Sequence, residues 1–164
     1  MATEIERKFL VRGEAWRDQA DQGVRYRQGY LTSLAPGGEA KVSIRVRMQG
    51  NAAYLNIKSA TLGLRRQEFE YPIPAADAKG MLEKLCVGAV VEKTRYHVHF
   101  QEHVWEIDVF HGDNAGLIVA EVELEREDQA FEKPEWVGAE VTHDPRYLNS
   151  SLAATPYSRW KETA

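Results

Sequence analysis

Like-charged side chains recur two residues apart along most of this chain, inside runs that otherwise alternate apolar and polar. Residues 3–10 place Glu4, Glu6 and Lys8 on one face of an extended segment and Ile5, Arg7 and Phe9 on the other, because successive side chains of a strand point to opposite faces. The spacing returns at Arg45 and Arg47, Glu68 and Glu70, Lys93 and Arg95, Glu106 and Asp108, and Glu121, Glu123 and Glu125, with Lys58 on a strand of its own. A period of two repeated through so many segments reads as a sheet with one charged face.

The alternation predicts about eight strands, over residues 3–10, 24–31, 41–48, 54–59, 64–71, 90–99, 103–110 and 117–125. Gly50-Asn51 is a hairpin turn, residues 33–39 are turn-rich, and a bulge at Gly29 would change the face that Tyr30 occupies. Between residues 74 and 86 the period becomes helical, with Ala78, Met81, Leu82 and Leu85 on one stripe and Gly88 as the stop signal. A second short helix is expected over 127–131, and Asp144-Pro145 marks a helix start near the tail. No repeat or linker divides the sequence, so residues 1–164 are expected to form a single domain. The fold class is all-β dominated with a few helices: a closed eight-stranded antiparallel β-barrel, whose closure leaves no open edge, with helices packed outside or at one end.

Which face of such a barrel is inside decides its chemistry. A lipocalin-like carrier would turn the charges to water and fill its interior with Val42, Ile44, Val46, Ile107, Val109, Val119, Val122 and Leu124. A surface built for solubility intersperses its signs, whereas these strands carry same-sign doublets that repel unless a ligand of opposite charge lies between them. The doublets therefore point inward, to binding. Glu4, Glu6 and Glu123, with Glu121 on the same face, are oxygen ligands suited to a hard divalent ion. Mg2+ or Mn2+ fits better than zinc, since no Cys and His set has zinc-site spacing. Arg45, Arg47, Lys58, Lys93, Arg95 and Lys8 supply cations for a polyphosphate, the guanidinium forks matching its oxygens two at a time. The implied substrate is an elongated polyanion bound together with metal.

Net charge narrows the partners further. With 21 Lys and Arg against 25 Asp and Glu, the chain stands at −4 and has no global attraction to nucleic acid or to anionic membranes, so neither is expected as a partner. The opening MATEIERKFL lacks the apolar core of a signal peptide, no apolar run approaches the roughly 18 residues of a membrane span, and Cys86 is alone, so a cytoplasmic location is expected. His97, His99 and His103 read as surface residues near a hairpin, Trp105, Trp136 and Trp160 as packing aromatics, and Arg65-Arg66 as a solvated doublet.

The Glu4-x-Glu6-x-Lys8 motif resembles the signature of the CYTH superfamily, the triphosphate tunnel metalloenzymes. The similarity extends along almost the whole chain, through Arg45-x-Arg47, Lys58, Glu68-x-Glu70, Lys93-x-Arg95, Glu106-x-Asp108 and Glu121-x-Glu123 in that order. It implies an eight-stranded tunnel that holds a triphosphate between a basic wall and a metal-bearing acidic wall. Residues 26–31 and 141–152 resemble the compact bacterial members, which implies hydrolysis of inorganic triphosphate. On this resemblance Lys8 meets the substrate or the leaving oxygen, and Glu68, Glu70, Glu106 and Asp108 each stand as candidates to activate water. Tyr30 is a further candidate beside Lys8 for proton delivery, with packing as its competing role. The alternatives are a nucleotide-processing member (an adenylate cyclase, or a nucleoside or thiamine triphosphatase) and a polyphosphate-binding module without turnover. Small size and an apolar outer face suggest a homodimer.

Overall fold

Each charged strand face needs a wall of neighbours to satisfy its backbone, and the chain provides this by closing the sheet on itself. The computed structural model describes residues 2–32, 42–59 and 65–160. The 33–39 turn, the expected strand starts at Lys41 and Leu64, and the side chains of Arg65 and Arg66 lie outside what is described. The strands are β1 (Ala2–Val11), β2 (Val24–Tyr30), β3 (Val42–Gln49), β4 (Ala52–Ser59), β5 (Arg65–Pro72), β6 (Val87–Phe100), β7 (His103–Phe110), β8 (Ile118–Glu123) and β9 (Val137–Glu140). They pair in the order β5-β4-β3-β2-β6-β7-β8-β1, and β1 returns to β5, so eight antiparallel strands form a closed barrel. β1 divides its second edge: Ala2–Ile5 meet β5, and further along Phe9 and Val11 meet β9.

Hydrocarbon lies outside this barrel. Ile5 and Phe9 of β1, Trp105 and Ile107 of β7, and Ala120 and Val122 of β8 face outward and are buried under Trp16, Trp136 and Val137. Trp105 and Trp136 meet edge to face with centroids 5.6 Å apart. On the opposite side, the helix α1 (Ala75–Lys84) lays Ala78 and Leu82 on Val46 and Ala53. Burying these apolar side chains at the outer surface supplies the driving force that a central core gives elsewhere. The lipocalin-like arrangement is thereby excluded.

One end of the tunnel is closed. Tyr147, the short helix α2 (Asn149–Ala154) with Leu152 and Ala153, and Val141 pack against Tyr30, Val91, Phe110 and Val119. Val119 is thus a tunnel-face residue of the closed end, sharing parity with Glu121, and does not stand with the outward Val122. The tail is tied to β1, where the Val141 N–H donates to Lys8 O (2.8 Å) and the Lys8 N–H to Thr142 Oγ1 (3.0 Å). The Asp144-Pro145 signal opens a single 3-10 turn, with the Asp144 carboxylate accepting from the Arg146 N–H at 3.1 Å.

Three expectations need correction. Residues 127–131 form no helix; they turn so that Phe131 reaches the rings of Phe9 and Trp105, and Gln129 Oε1 accepts from the Glu125 N–H. The irregularity near Gly29 lies in β6, because β2 keeps unbroken register with β3 from Tyr26 opposite Gln49 to Tyr30 opposite Arg45. Gly88, at φ +73°, belongs to that irregular start of β6, and α1 ends earlier, at Lys84. Gly29 is required for a different reason: a Cβ there would collide with Cys86 Sγ. The ninth strand was not foreseen; it is four residues long and contains Gly138, which gives no apolar alternation to read.

Candidate functional site: a tunnel lined with both charges

Strand parity brings the expected site residues to one interior. Tyr30 pairs with Arg45, and Asn56 lies between Arg45 on β3 and Glu70 on β5, while Ser43 opposes Lys58 and Lys58 opposes Glu68. Across the barrel, Arg95 opposes Asp108, Glu106 opposes Glu121, Lys8 opposes Glu121, and Glu6 opposes Glu123. Lys8, Arg45, Lys93, Asp108 and Glu121 are buried, an expensive set of charges to remove from water without partners.

On β6 and β7 the partners are close. Lys93 Nζ donates to Asp108 Oδ2 at 2.7 Å, and Arg95 grips the same carboxylate through Nε (2.7 Å) and Nη2 (2.9 Å). Arg95 Nη1 also donates to Glu106 Oε2 at 3.0 Å. Burial lowers the Lys93 ammonium to about 8 despite the pull of Asp108. Burial works to raise Glu106, but Arg95 and a hydrogen bond with His97 outweigh it and hold it at about 2. Asp108 is driven well below the ordinary carboxylate range, since Arg95 and Lys93 overcome its burial.

Elsewhere the contacts are looser. Arg45 Nη2 stands 4.0 Å from Glu68, Lys58 Nζ 3.4 Å from Glu4 and 3.7 Å from Glu68, and Arg47 Nη2 3.2 Å from Glu70. Asn56 Nδ2 donates to both Glu68 (3.0 Å) and Glu70 (3.1 Å). Glu68 is lowered: burial would raise it, but hydrogen bonding with Glu4 and the charges of Lys58 and Arg45 prevail. Among the described residues, Nε of Arg45 and of Arg47 are buried without a hydrogen-bond partner.

The carboxylates of β1 and β8 face one another. Glu121 is pushed up to about 7 by burial and by the charge on Glu6, against Lys8, whose Nζ is 3.8 Å away. Glu123 is raised as well, by burial and by Glu4, Glu106 and Glu6. Hard oxygen donors that repel one another across adjacent strands fit a divalent cation, which would relieve the repulsion. Among the described residues no three such groups converge into a metal shell on their own.

Tyr30 lies on the tunnel face, packed into the apolar closed end among Val91, Phe110 and Tyr147. Lys8 Nζ donates to Tyr147 O at 3.0 Å, so the tail positions this ammonium. His97 is partly exposed, as expected, but it also bridges two carboxylates: Nδ1 lies 3.2 Å from Asp21 and Nε2 3.6 Å from Glu106, and the contact with Glu106 raises its pKa. Sequence reasoning gave no role to Tyr26, over whose ring Arg47, Arg95 and Lys93 stand at 5.2 to 5.7 Å, or to the buried amides Gln28 and Asn56. Parity was the available signal, since Asn56 precedes Lys58 by two and Gln28 lies two from Tyr30.

A closed antiparallel barrel with its hydrocarbon outside, cations and carboxylates inside and one end sealed is a tunnel for a polyanion. The CYTH domain matches residues 2–157, and the chain belongs to that family. It is 46% identical over 162 residues to the inorganic triphosphatase of Acetivibrio thermocellus, covering 99% of this chain and 100% of that one. Against the inorganic triphosphatase of Nitrosomonas europaea the identity is 42% over 154 residues, 92% of this chain and 97% of that one. The crystal structure of an inorganic triphosphatase superposes with a TM-score of 0.63 at 40% identity, covering 93% of this chain and 95% of that one. Among the described residues no helix is long and apolar enough to cross a membrane.

Proposed function

We propose that this protein hydrolyses inorganic triphosphate to diphosphate and phosphate with the help of Mg2+ or Mn2+. The observation that carries the reading is the set of tunnel cations, Arg45 and Lys93 buried and Arg47 and Lys58 half-buried, facing carboxylates across one closed tunnel. Two relatives at 46% and 42% identity that bear the name inorganic triphosphatase support it, and triphosphatases of this family are metal-dependent in general.

In this reading Glu4, Glu6, Glu121 and Glu123 would hold the cation, which would supply charge neutralisation at the phosphates and acidify water. Arg45, Arg47, Lys58, Lys93 and Arg95 align the phosphate chain, and Lys8, fixed by Tyr147 O, meets the leaving oxygen. Phosphoryl transfer passes through a loose transition state, so alignment and charge neutralisation count for more than a strong base. Asp108 and Glu106 suit that division, since both are occupied by Arg95 and orient it; Glu68 and Glu70 stand nearer the loosely held cations and are the better candidates to orient water. The protein acts as a homodimer in this reading, which light scattering on the purified chain checks.

Phosphate release from inorganic triphosphate, ATP and thiamine triphosphate, each with Mg2+, Mn2+ or EDTA, tests the proposal. Metal-dependent release from triphosphate ahead of the other two is expected. Preference for a nucleotide or for thiamine triphosphate would move the assignment to another member of the family, and tight binding without release would make the protein a polyphosphate-binding module.

A further inference from the structure

Gln28 stands among the cations of the tunnel. It is fully buried, and among the described residues neither Oε1 nor Nε2 has a hydrogen-bond partner. A buried amide that leaves both groups unpaired is costly, and a side chain needed only for volume is better supplied by an apolar residue. Its direction follows from register: Gln28 opposes Arg47 on β3 and Val91 on β6, two residues from Tyr26, which opposes Lys93, and two from Tyr30, which opposes Arg45. The amide is therefore framed by Arg45, Arg47 and Lys93, at the level where Val91 and Tyr30 begin the apolar closure of the tunnel.

We infer that Gln28 binds substrate, its amide N–H donating to a phosphoryl oxygen at the inner end of the triphosphate. The inference rests on the triphosphatase reading and adds a residue to it. Three cations already converge here, so a fourth would be repelled by them; an amide adds a donor without adding charge. Its carbonyl would repel a phosphate oxygen and would be better turned toward Nε of Arg45 and of Arg47, which among the described residues also have no hydrogen-bond partner. With apolar side chains beyond, the group that Gln28 touches is the end of the phosphate chain, and longer chains extend only toward the other end of the tunnel.

Two variants separate binding from packing. Gln28→Met keeps the length and removes the hydrogen bonds, and Gln28→Glu keeps the shape and adds a negative charge. Thermal unfolding is measured with and without inorganic triphosphate in EDTA, and KM and kcat are measured for triphosphate with Mg2+. For Gln28→Met the expected result is an unliganded Tm at or above that of the unaltered protein, a smaller rise on adding triphosphate, and a KM raised about tenfold, the scale of one lost hydrogen bond to a charged group. Gln28→Glu should raise KM further, by about a hundredfold, because its carboxylate faces the phosphate oxygens. An unchanged KM and an unchanged triphosphate-induced rise in Gln28→Met would overturn the inference, as would a lowered unliganded Tm with no change in KM. If the unaltered protein turns over triphosphate normally, such a result sinks the role of Gln28 alone; if triphosphate neither stabilises that protein nor is cleaved by it, the substrate reading falls and Gln28 with it.

Discussion

The β6–β7 side of the tunnel and the β3–β4–β5 side carry the same kinds of side chain and use them differently. On the first, every short contact is internal: Asp108 takes Lys93 Nζ and Arg95 Nε and Nη2 within 2.9 Å, and Glu106 takes Arg95 Nη1 at 3.0 Å. On the second, ion pairs stretch to 3.7 and 4.0 Å, and among the described residues the Nε groups of Arg45 and Arg47 are buried with no acceptor. A charge network that satisfies itself holds its cations in fixed positions; one that leaves donors unused can close on an anion. Charge near the carboxylates of β1 and β8, which are proposed to hold the cation, follows the second pattern with the sign reversed, as the raised Glu121 and Glu123 indicate.

The largest effect expected from this contrast is on turnover. Glu4→Gln and Glu6→Gln should each reduce metal-dependent phosphate release by at least about a hundredfold while the urea midpoint stays that of the unaltered protein; full activity in both variants would remove the proposed metal site. Next comes stability on the closed network. Asp108→Asn strands Lys93 and Arg95 in a buried site with one acceptor lost, which should cost about 3–5 kcal/mol in denaturant unfolding. Arg45→Gln, on the open side, should change stability by no more than about 1 kcal/mol and show itself as a raised KM. Equal stability losses from these two variants would erase the distinction between the closed network and the open side.

Much of this arrangement was legible in the sequence because a strand encodes its faces with a period of two. That period placed Glu4, Glu6 and Lys8 together, sorted Val46 from Arg45 and Arg47, and, through the same-sign doublets, turned the charges inward. It failed where structure depends on contacts between distant segments. β9 exists because its backbone lies against β1, so close that a Cβ at Gly138 would sit 3.1 Å from Leu10 O, and four residues carry no pattern of their own. Phe131 belonged to a plausible helix until the aromatic cluster of Phe9 and Trp105 claimed it. The closed end was announced by the helix start at Asp144 and by helices expected at one end; that the tail fixes Lys8 through Tyr147 O is a tertiary fact. Division of labour among the carboxylates was equally hidden, since Glu106 and Glu121 oppose each other on adjacent strands and yet stand at about 2 and about 7.

That difference predicts opposite pH responses. Glu106 is depressed in the fold from an ordinary value of 4.5 to about 2, so its contribution is fully present above about pH 4.5 and is lost as the pH falls toward 2. Glu121 is raised from 4.5 to about 7, so its contribution favours the fold below pH 4.5 and is lost as the pH rises through 7. In EDTA, Glu106→Gln should lower the urea midpoint at pH 6 and lose most of that effect near pH 2. Glu121→Gln should raise the midpoint at pH 8 and leave it unchanged at pH 4. Two variants with parallel pH profiles would mean that the two carboxylates share one environment.

The smallest expected effect lies beside Glu106. His97 bridges Asp21 and Glu106, yet its side chain is 37% exposed and that of Asp21 46%, so solvent screens much of the attraction. His97→Gln should cost about 0.5 kcal/mol. The raised pKa fixes the sign: the contribution is complete below the ordinary imidazole value of 6.5 and disappears as the pH rises through the folded value. Unfolding in urea at pH 5.5 and at pH 9 measures both terms. A cost that persists undiminished at pH 9 would assign His97 to packing, and the frame formed by Arg95 and Asp108 would then stand without a charged clamp on Glu106 from its far side.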